Sequence, residues 1–221
     1  MSTINLKKAE DIALKLFAEI EKRGLIQSGK TEEQLNDEVY ELSQTLLGTK
    51  RHWHRRIVRS GKNTLLPYRE NPPNLMIQDD DILFFDFGPI LDKWEADLGR
   101  TYVLGDDPLK LKLKSDVETI WYGAKKWFDE HQDCTGAELF DHVMKLTKEN
   151  GWEFGGEIAG HIIGEFPHEN LDPKTYDLYV HPENPKQLKK AINGKRRDWI
   201  LEIHLVDRER EIGGFFEQLL T

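Results

Sequence analysis

One helix is written twice in this chain. Thr31, Gln34, Leu35, Asp37, Val39 and Leu42 return 104 residues later as Thr135, Glu138, Leu139, Asp141, Val143 and Leu146. A Thr followed three residues on by Gln or Glu is the capping box that opens a helix, and apolar residues three and four apart form its buried stripe. Any capped amphipathic helix shows part of this pattern. The context strengthens the match, because each copy follows a long helical pattern and precedes a β-rich stretch that carries acidic residues. Ahead of the first copy, Ile12, Leu14, Leu16, Phe17, Ile20 and Leu25 recur at helical spacing and stop near Gly24. In the first copy the stripe is Leu35, Val39, Leu42, Leu46 and Leu47. Helical patterns return over residues 112–131 and 135–149, while 54–60 and 81–105 read as β-structure. These observations predict an α/β (α+β) chain of two αα-β halves, packed as one pseudo-symmetric domain over residues 1–221. The period is too long for a solenoid.

Charge narrows the function. Thirty-one Lys and Arg against forty Asp and Glu give a formal charge of -9, which argues against a nucleic-acid partner, since that needs a basic footprint. The basic clusters RHWHRR (51–56) and GKRRDW (194–199) are read as solvated turns, as charge runs usually are. No apolar run approaches the roughly 18 residues of a spanning helix, and MSTINLKKAE does not read as a signal peptide. The only cysteine, Cys134, excludes an internal disulfide and fits a reducing compartment. The expectation is a soluble, cytoplasmic protein with no membrane partner, in which Cys134 is structural and the tryptophans at 94, 121, 127, 152 and 199 serve packing. Walker, GxGxxG and HExxH motifs are all absent.

The acidic residues that remain are oddly placed. Asp86 ends the apolar run ILFF, where an unpaired carboxylate is costly to bury. Asp97 follows eleven residues later in WEADLGRTY. A hairpin turning at Leu91-Asp92 would set Asp86 directly opposite Asp97, close enough to require a cation, a shared proton or protein donors; one exposed Asp on a plain hairpin is the equal alternative. Glu202 in WILEIHLV and Glu217 in GGFFEQLL repeat the arrangement, with a turn within DREREIG. Between the pairs lies GHIIGEFPHE, with His161 and His168. Oxygen ligands with one imidazole suit two hard or borderline divalent ions bridged by carboxylates.

The order Asp, eleven residues, Asp, then His, Glu and a terminal Glu resembles the pita-bread metallopeptidases: methionine aminopeptidase, aminopeptidase P, prolidase and creatinase. SGKNTLLPYREN, DFGPILDKWEADLGRTY and GHIIGEFPHE are similar to segments of the aminopeptidase P and prolidase branch. The resemblance implies a pita-bread fold with a mostly antiparallel curved central sheet. It also implies two divalent ions (Mn, Fe, Co or Zn, with manganese among the candidates) held by Asp86, Asp97, His161, Glu202 and Glu217. Asp97 and Glu217 would bridge the ions, Thr101 would brace a ligating carboxylate, and His168 would contact the scissile region. A hydroxide on the metals would attack the peptide or amide carbonyl of a small substrate, with Glu202 moving its proton. A homodimer is compatible with this reading.

Three departures qualify it. Pro67 stands where the branch has a histidine that assists the transition state, and proline donates no proton. His54 or His52, on a strand expected over 52–60, would take its place, and His204 should share the face of Glu202. The N-terminal domain of aminopeptidase P, prolidase and creatinase has no counterpart here, and the Glu202-to-Glu217 loop is short. These departures keep open a non-catalytic binding module or a creatinase- or lyase-like enzyme on the same fold.

Overall fold

Both capping boxes form. Thr31 accepts from the Gln34 amide while the Gln34 side chain accepts from the Thr31 amide, opening α2 (Glu32–Leu47); Thr135 and Glu138 open α4 (Gly136–Glu149) in the same way. The computed structural model describes residues 2–168, 175–191 and 194–221, so Glu169 of GHIIGEFPHE lies outside the described residues. The first helix, α1 (Ser2–Lys22), starts well before the expected stripe, and Leu6, Ala9 and Ala13 extend its buried face. Ile12 and Leu46 are exposed, because neither falls on the face turned to the sheet. Before α3 (Pro108–Glu130), Asp107 accepts from the amides of Leu109 and Lys110, and Pro108 occupies the first turn, where a missing N–H costs nothing. No helix among the described residues is long and apolar enough to cross a membrane.

In chain order the strands are β1 (Ile57–Ser60), β2 (Ile82–Phe87), β3 (Ile90–Leu91), β4 (Trp94–Glu95), β5 (Leu98–Val103), β6 (Glu153–Phe154), β7 (Ile162–Ile163), β8 (Asp198–Asp207) and β9 (Ile212–Leu219). All their pairings are antiparallel, in the order β1-β2-β5-β9-β8-β6, with β7 also on β8 and with β3 and β4 paired to each other as a separate two-stranded sheet. The sheet is pseudo-symmetric about the β5–β9 contact, with β1-β2-β5 answered by β7-β8-β9. The expected strand over 52–60 is shorter, since only 57–60 pair.

The four helices cover one face of this sheet. Leu16, Phe17, Ile20, Leu35 and Val39 pack on Leu83, Phe85 and Phe87 of β2. Val117, Trp121, Leu139 and Val143 pack on Leu201, Ile203 and Leu205 of β8. Each such side chain contributes about 1.5–3 kcal/mol on burial. Cys134 lies in the second cluster, and burial pushes its thiol up to about 11, so it is held as an inert thiol. Because strand side chains alternate, the residues between these core positions point to the opposite face. That face carries the acidic residues.

Candidate metal centre

One row of paired residues crosses four strands: Asp86 on β2, Gly99 on β5, Glu217 on β9 and Glu202 on β8. Glu202 and Glu217 stand directly opposite, as their hairpin pattern predicts. Asp86 stands opposite Gly99 rather than Asp97. The turn falls on Asp92-Lys93, one residue later than expected, with Leu91 paired to Trp94 and Asp92 in the left-handed region at φ 55°. Aspartate tolerates that conformation. Moving the turn by one residue slides the register by two, and a two-residue slip keeps every side chain on its face. Asp97, just ahead of β5, therefore still joins Asp86 on the acidic face. Gly99 makes the space between the carboxylates: a Cβ there would lie 2.4 Å from the Phe215 ring and 3.0 Å from the Glu217 Cβ.

Two imidazoles close on Asp97 from opposite halves. His161 Nε2 is 3.1 Å from Asp97 Oδ2 and 3.9 Å from Glu217 Oε1. His54 Nε2 is 3.1 Å from Asp97 Oδ1 and 3.4 Å from Asp86 Oδ1. Each ring donates its Nδ1–H to the next residue's backbone carbonyl, Ile162 at 2.7 Å and Arg55 at 2.8 Å. Glycines make both approaches possible. A Cβ on Gly88 would sit 2.2 Å from the His54 ring, and one on Gly160 would sit 2.1 Å from the Ile200 carbonyl oxygen.

His52 does not share this place. Both of its ring nitrogens are buried without a hydrogen-bond partner among the described residues, beside the Tyr40 ring. Burial, then the Arg56 charge, lowers its pKa to about 4. Residues 52–56 are not a strand, so the alternation that would have put His52 and His54 on one face does not operate. RHWHRR is accordingly no plain solvated turn: its middle folds into the acidic face. His204 does share the face of Glu202, but its Nε2 donates to the Thr64 carbonyl at 2.8 Å, and burial holds the ring neutral, with a pKa of about 4. Thr101 bridges strands instead of bracing a carboxylate; its hydroxyl donates to the Phe215 carbonyl and accepts from the Phe215 amide. Pro67 lies on a loop whose carbonyls are pinned by Arg55 and Arg59.

His168 is oriented by a residue that sequence reasoning passed over. Its Nδ1 bonds Glu95, a fully buried carboxylate that also accepts from the Gly164 and His168 amides. Trp53 was passed over as well. Its indole meets the rings of His54, His161 and His168 at centroid distances of 4.4, 5.3 and 5.2 Å, and its N–H is fixed on the Ala96 carbonyl. A tryptophan between two histidines in RHWHRR was the signal available.

The electrostatics of the cluster follow from burying four carboxylates together. Burial pushes Glu202 up to about 8 and Asp86 to about 6, against the opposing pull of His161 and His54, while burial and then the neighbouring carboxylates lift Glu217 well above the usual carboxylate range. For Asp97, burial is outweighed by His54 and by the His161 hydrogen bond, which hold it down at about 2. For His54, burial is outweighed by Asp86 and Asp97, which raise it to about 9. Glu202 is only partly buried as a residue, yet its Oε1 is shut off from solvent with no hydrogen-bond partner among the described residues. Two overlapping groups, His54–Asp86–Asp97 and Asp97–His161–Glu217, bring their donor atoms within 4.8 Å of one another. Oxygen-rich sets with an imidazole are what divalent cations select, and a cation would satisfy the orphaned Glu202 oxygen and the mutual repulsion.

The fold and this cluster define a pita-bread domain with candidate metal-binding carboxylates. Residues 4–191 match the model of metallopeptidase family M24, and the chain belongs to that family. A comparison with curated protein sequences returned no match. Among solved structures, the fold is similar to prolidase from Thermococcus sibiricus (TM-score 0.77, 21% identity, 98% of this chain and 57% of that one). It is also similar to X-Pro aminopeptidase from Thermotoga maritima MSB8 (0.74, 20%, 100% and 60%). Methionine aminopeptidase from Rickettsia prowazekii is a third (0.73, 15%, 98% and 91%). The chain thus spans less than two thirds of the length of the prolidase and X-Pro aminopeptidase chains it matches.

Proposed function

We propose that this chain is a divalent-metal hydrolase of the aminopeptidase P and prolidase type, acting in the cytoplasm on a peptide or amide bond of a small substrate. The observation that carries the reading is the convergence of Asp86, Asp97, His161, Glu202 and Glu217 from five separate segments on one face of the sheet. Nothing in packing requires four carboxylates there, and their burial is costly without a cation. Asp86, Asp97, Glu217, His161 and Glu202 would hold two ions from among Mn, Fe, Co and Zn. Bound there, the ions would polarise the scissile carbonyl and lower the pKa of the attacking water.

The chain's own residues do the rest. Glu202 is the one cluster carboxylate partly open to the cleft, and it can take the proton of the attacking water and pass it to the leaving amine. Glu95 holds His168 by its Nδ1, which leaves Nε2 as the nitrogen that can meet substrate, and in its protonated form the ring can donate from there. His54 reaches the cluster, but with its Nε2 on Asp97 and Asp86 the donor role left by Pro67 is assigned to His168.

A panel of dipeptides and Xaa-Pro peptides, assayed with each metal, tests the proposal. Turnover that disappears in Asp97→Ala supports it. Silence across the panel with metal bound would move the assignment to a binding module or a creatinase- or lyase-like enzyme, for which Pro67 is the feature in favour.

A further inference from the structure

We infer that His54 is itself a metal ligand, so that each ion of the proposed centre carries one imidazole: His161 on the side of Glu217 and His54 on the side of Asp86. The inference rests on the dinuclear reading above and adds a residue to it.

The geometry is that of a ligand. Donor atoms bound about 2.0–2.2 Å from a common ion at right-angled to tetrahedral geometry stand roughly 2.8–3.6 Å apart. His54 Nε2 lies 3.1 Å from Asp97 Oδ1 and 3.4 Å from Asp86 Oδ1. His161, the expected ligand, lies 3.1 Å from the other oxygen of the same aspartate. The two rings are also set up alike. A ligating imidazole must present a bare nitrogen, and the usual device is to spend the other N–H on a carbonyl. Both rings do so, on the carbonyl of the very next residue. In the neutral ring this leaves the Nε2 lone pair directed at the carboxylates.

The fold supplies an independent reason. β1 pairs with β2 as β7 pairs with β8, and His54 and His161 each precede the outer strand of their half. The pseudo-symmetry therefore delivers one imidazole from each half onto Asp97. Gly88 completes the argument: any side chain there would collide with the His54 ring, so the backbone has been cleared for this histidine to enter. The side chain of His54 is 7% exposed, which excludes a role at the surface. A second imidazole would also shift the site from hard oxygen-loving ions toward cobalt, zinc or iron.

Cobalt(II) alone is the probe. The metal-free protein is titrated with it by calorimetry, and the loaded protein is examined by proton NMR for exchangeable, hyperfine-shifted imidazole N–H signals. The expected result is two ions per chain and two such signals, one from each Nδ1–H held on a backbone carbonyl. His54→Ala and His54→Gln should each remove one signal and weaken one binding event by at least about tenfold. Two ions with a single signal in the unaltered protein would overturn the inference while leaving the dinuclear reading in place. One ion in the unaltered protein, with a second gained in His54→Ala, would also overturn it, because the ring would then be a resident cation standing in the ion's place. No cobalt bound at all would overturn the dinuclear reading and this inference together.

Discussion

The two halves of the sheet solve the same problem with different parts. In β1-β2-β5 the acidic pair is Asp86 and Asp97, set diagonally, and Asp97 reaches the row from outside β5. In β7-β8-β9 the pair is Glu202 and Glu217, directly opposite within two long strands. The first half needs Gly99 as a vacant position in the row, while the second has no such gap and uses longer side chains. The short aspartates are drawn together by imidazoles from both sides, which hold Asp97 below the ordinary carboxylate range; burial raises both glutamates above it. The difference teaches that the repeated topology fixes where donors arrive, while side-chain length and register decide which of them are charged before a metal enters.

The largest effect expected comes from the one residue both halves share. Asp97→Ala should abolish binding of both ions and lower turnover by on the order of a thousandfold or more. Asp86→Ala removes a donor from the first half only and should leave one ion bound. Elemental analysis of the two purified variants checks this. Equal losses in both would mean that the halves do not bind independently.

Next come the two glycines that admit the histidines. Gly160 has φ 145°, and the clash of an added Cβ is with the Ile200 backbone. Gly160→Ala should cost about 3 kcal/mol or more, seen as a lower denaturation midpoint. The clash at Gly88 is with the His54 and Trp53 side chains. Gly88→Ala should cost less, about 1–3 kcal/mol, while weakening metal binding in the first half. Stability loss in the reverse order would show that the first half is the more rigid of the two.

This contrast also explains what was legible in the sequence. The capping boxes were, because their chemistry is local and the repeat marks them twice. Glu202 opposite Glu217 was, because both strands are long and regular. Asp86 and Asp97 were legible as a pair on one face but not in register, since a left-handed Asp92 is a single-residue decision. His54 and His52 could not be separated, because residues 52–56 are irregular backbone whose direction is set by contacts with Gly88 and Ala96, far along the chain. Glu95 was invisible for the same reason, since its partner His168 lies far along the chain, and Trp53 was marked only by its place between two histidines, its contacts with His161 and His168 being equally remote.

A smaller effect is expected from pH on the metal-free protein. Asp86, Glu202 and Glu217 have folded pKa values above their unfolded ones, and so does His54. The folded state then holds protons that the unfolded chain releases, so this part of the stability is complete at low pH and is lost as pH rises through about 6 to 9. Asp97 acts oppositely, but only as pH falls toward about 2. Thermal midpoints should therefore decline from pH 6 to 9, and Glu202→Gln should flatten the decline more than Asp86→Asn. Metal should reverse the slope, since ligation needs the carboxylates deprotonated. A midpoint that rises with pH in the stripped protein would contradict the charge assignment.

The smallest effect compares the two caps, which differ by one charge. Thr31→Ala and Thr135→Ala each remove an oxygen that accepts from the third helical amide, at a cost of about 0.5–2 kcal/mol. The reciprocal partner is neutral Gln34 in α2 and ionised Glu138 in α4. The backbone hydrogen bond from Thr135 holds Glu138 below its ordinary pKa. A lowered folded pKa means that this contribution is present above the unfolded value and is lost as pH falls through the folded one. The α4 cap should therefore weaken in acid, and the α2 cap should not. Glu138→Gln should remove that acid sensitivity, and Gln34→Glu should create it in α2, each by a few tenths of a kcal/mol because both sites are exposed. Hydrogen exchange of the Gln34 and Glu138 amides between pH 3 and 6, corrected for intrinsic rates, resolves the two helices separately. Equal acid responses in both would show that the charge at Glu138 adds nothing beyond the hydrogen bond that neutral Gln34 already makes.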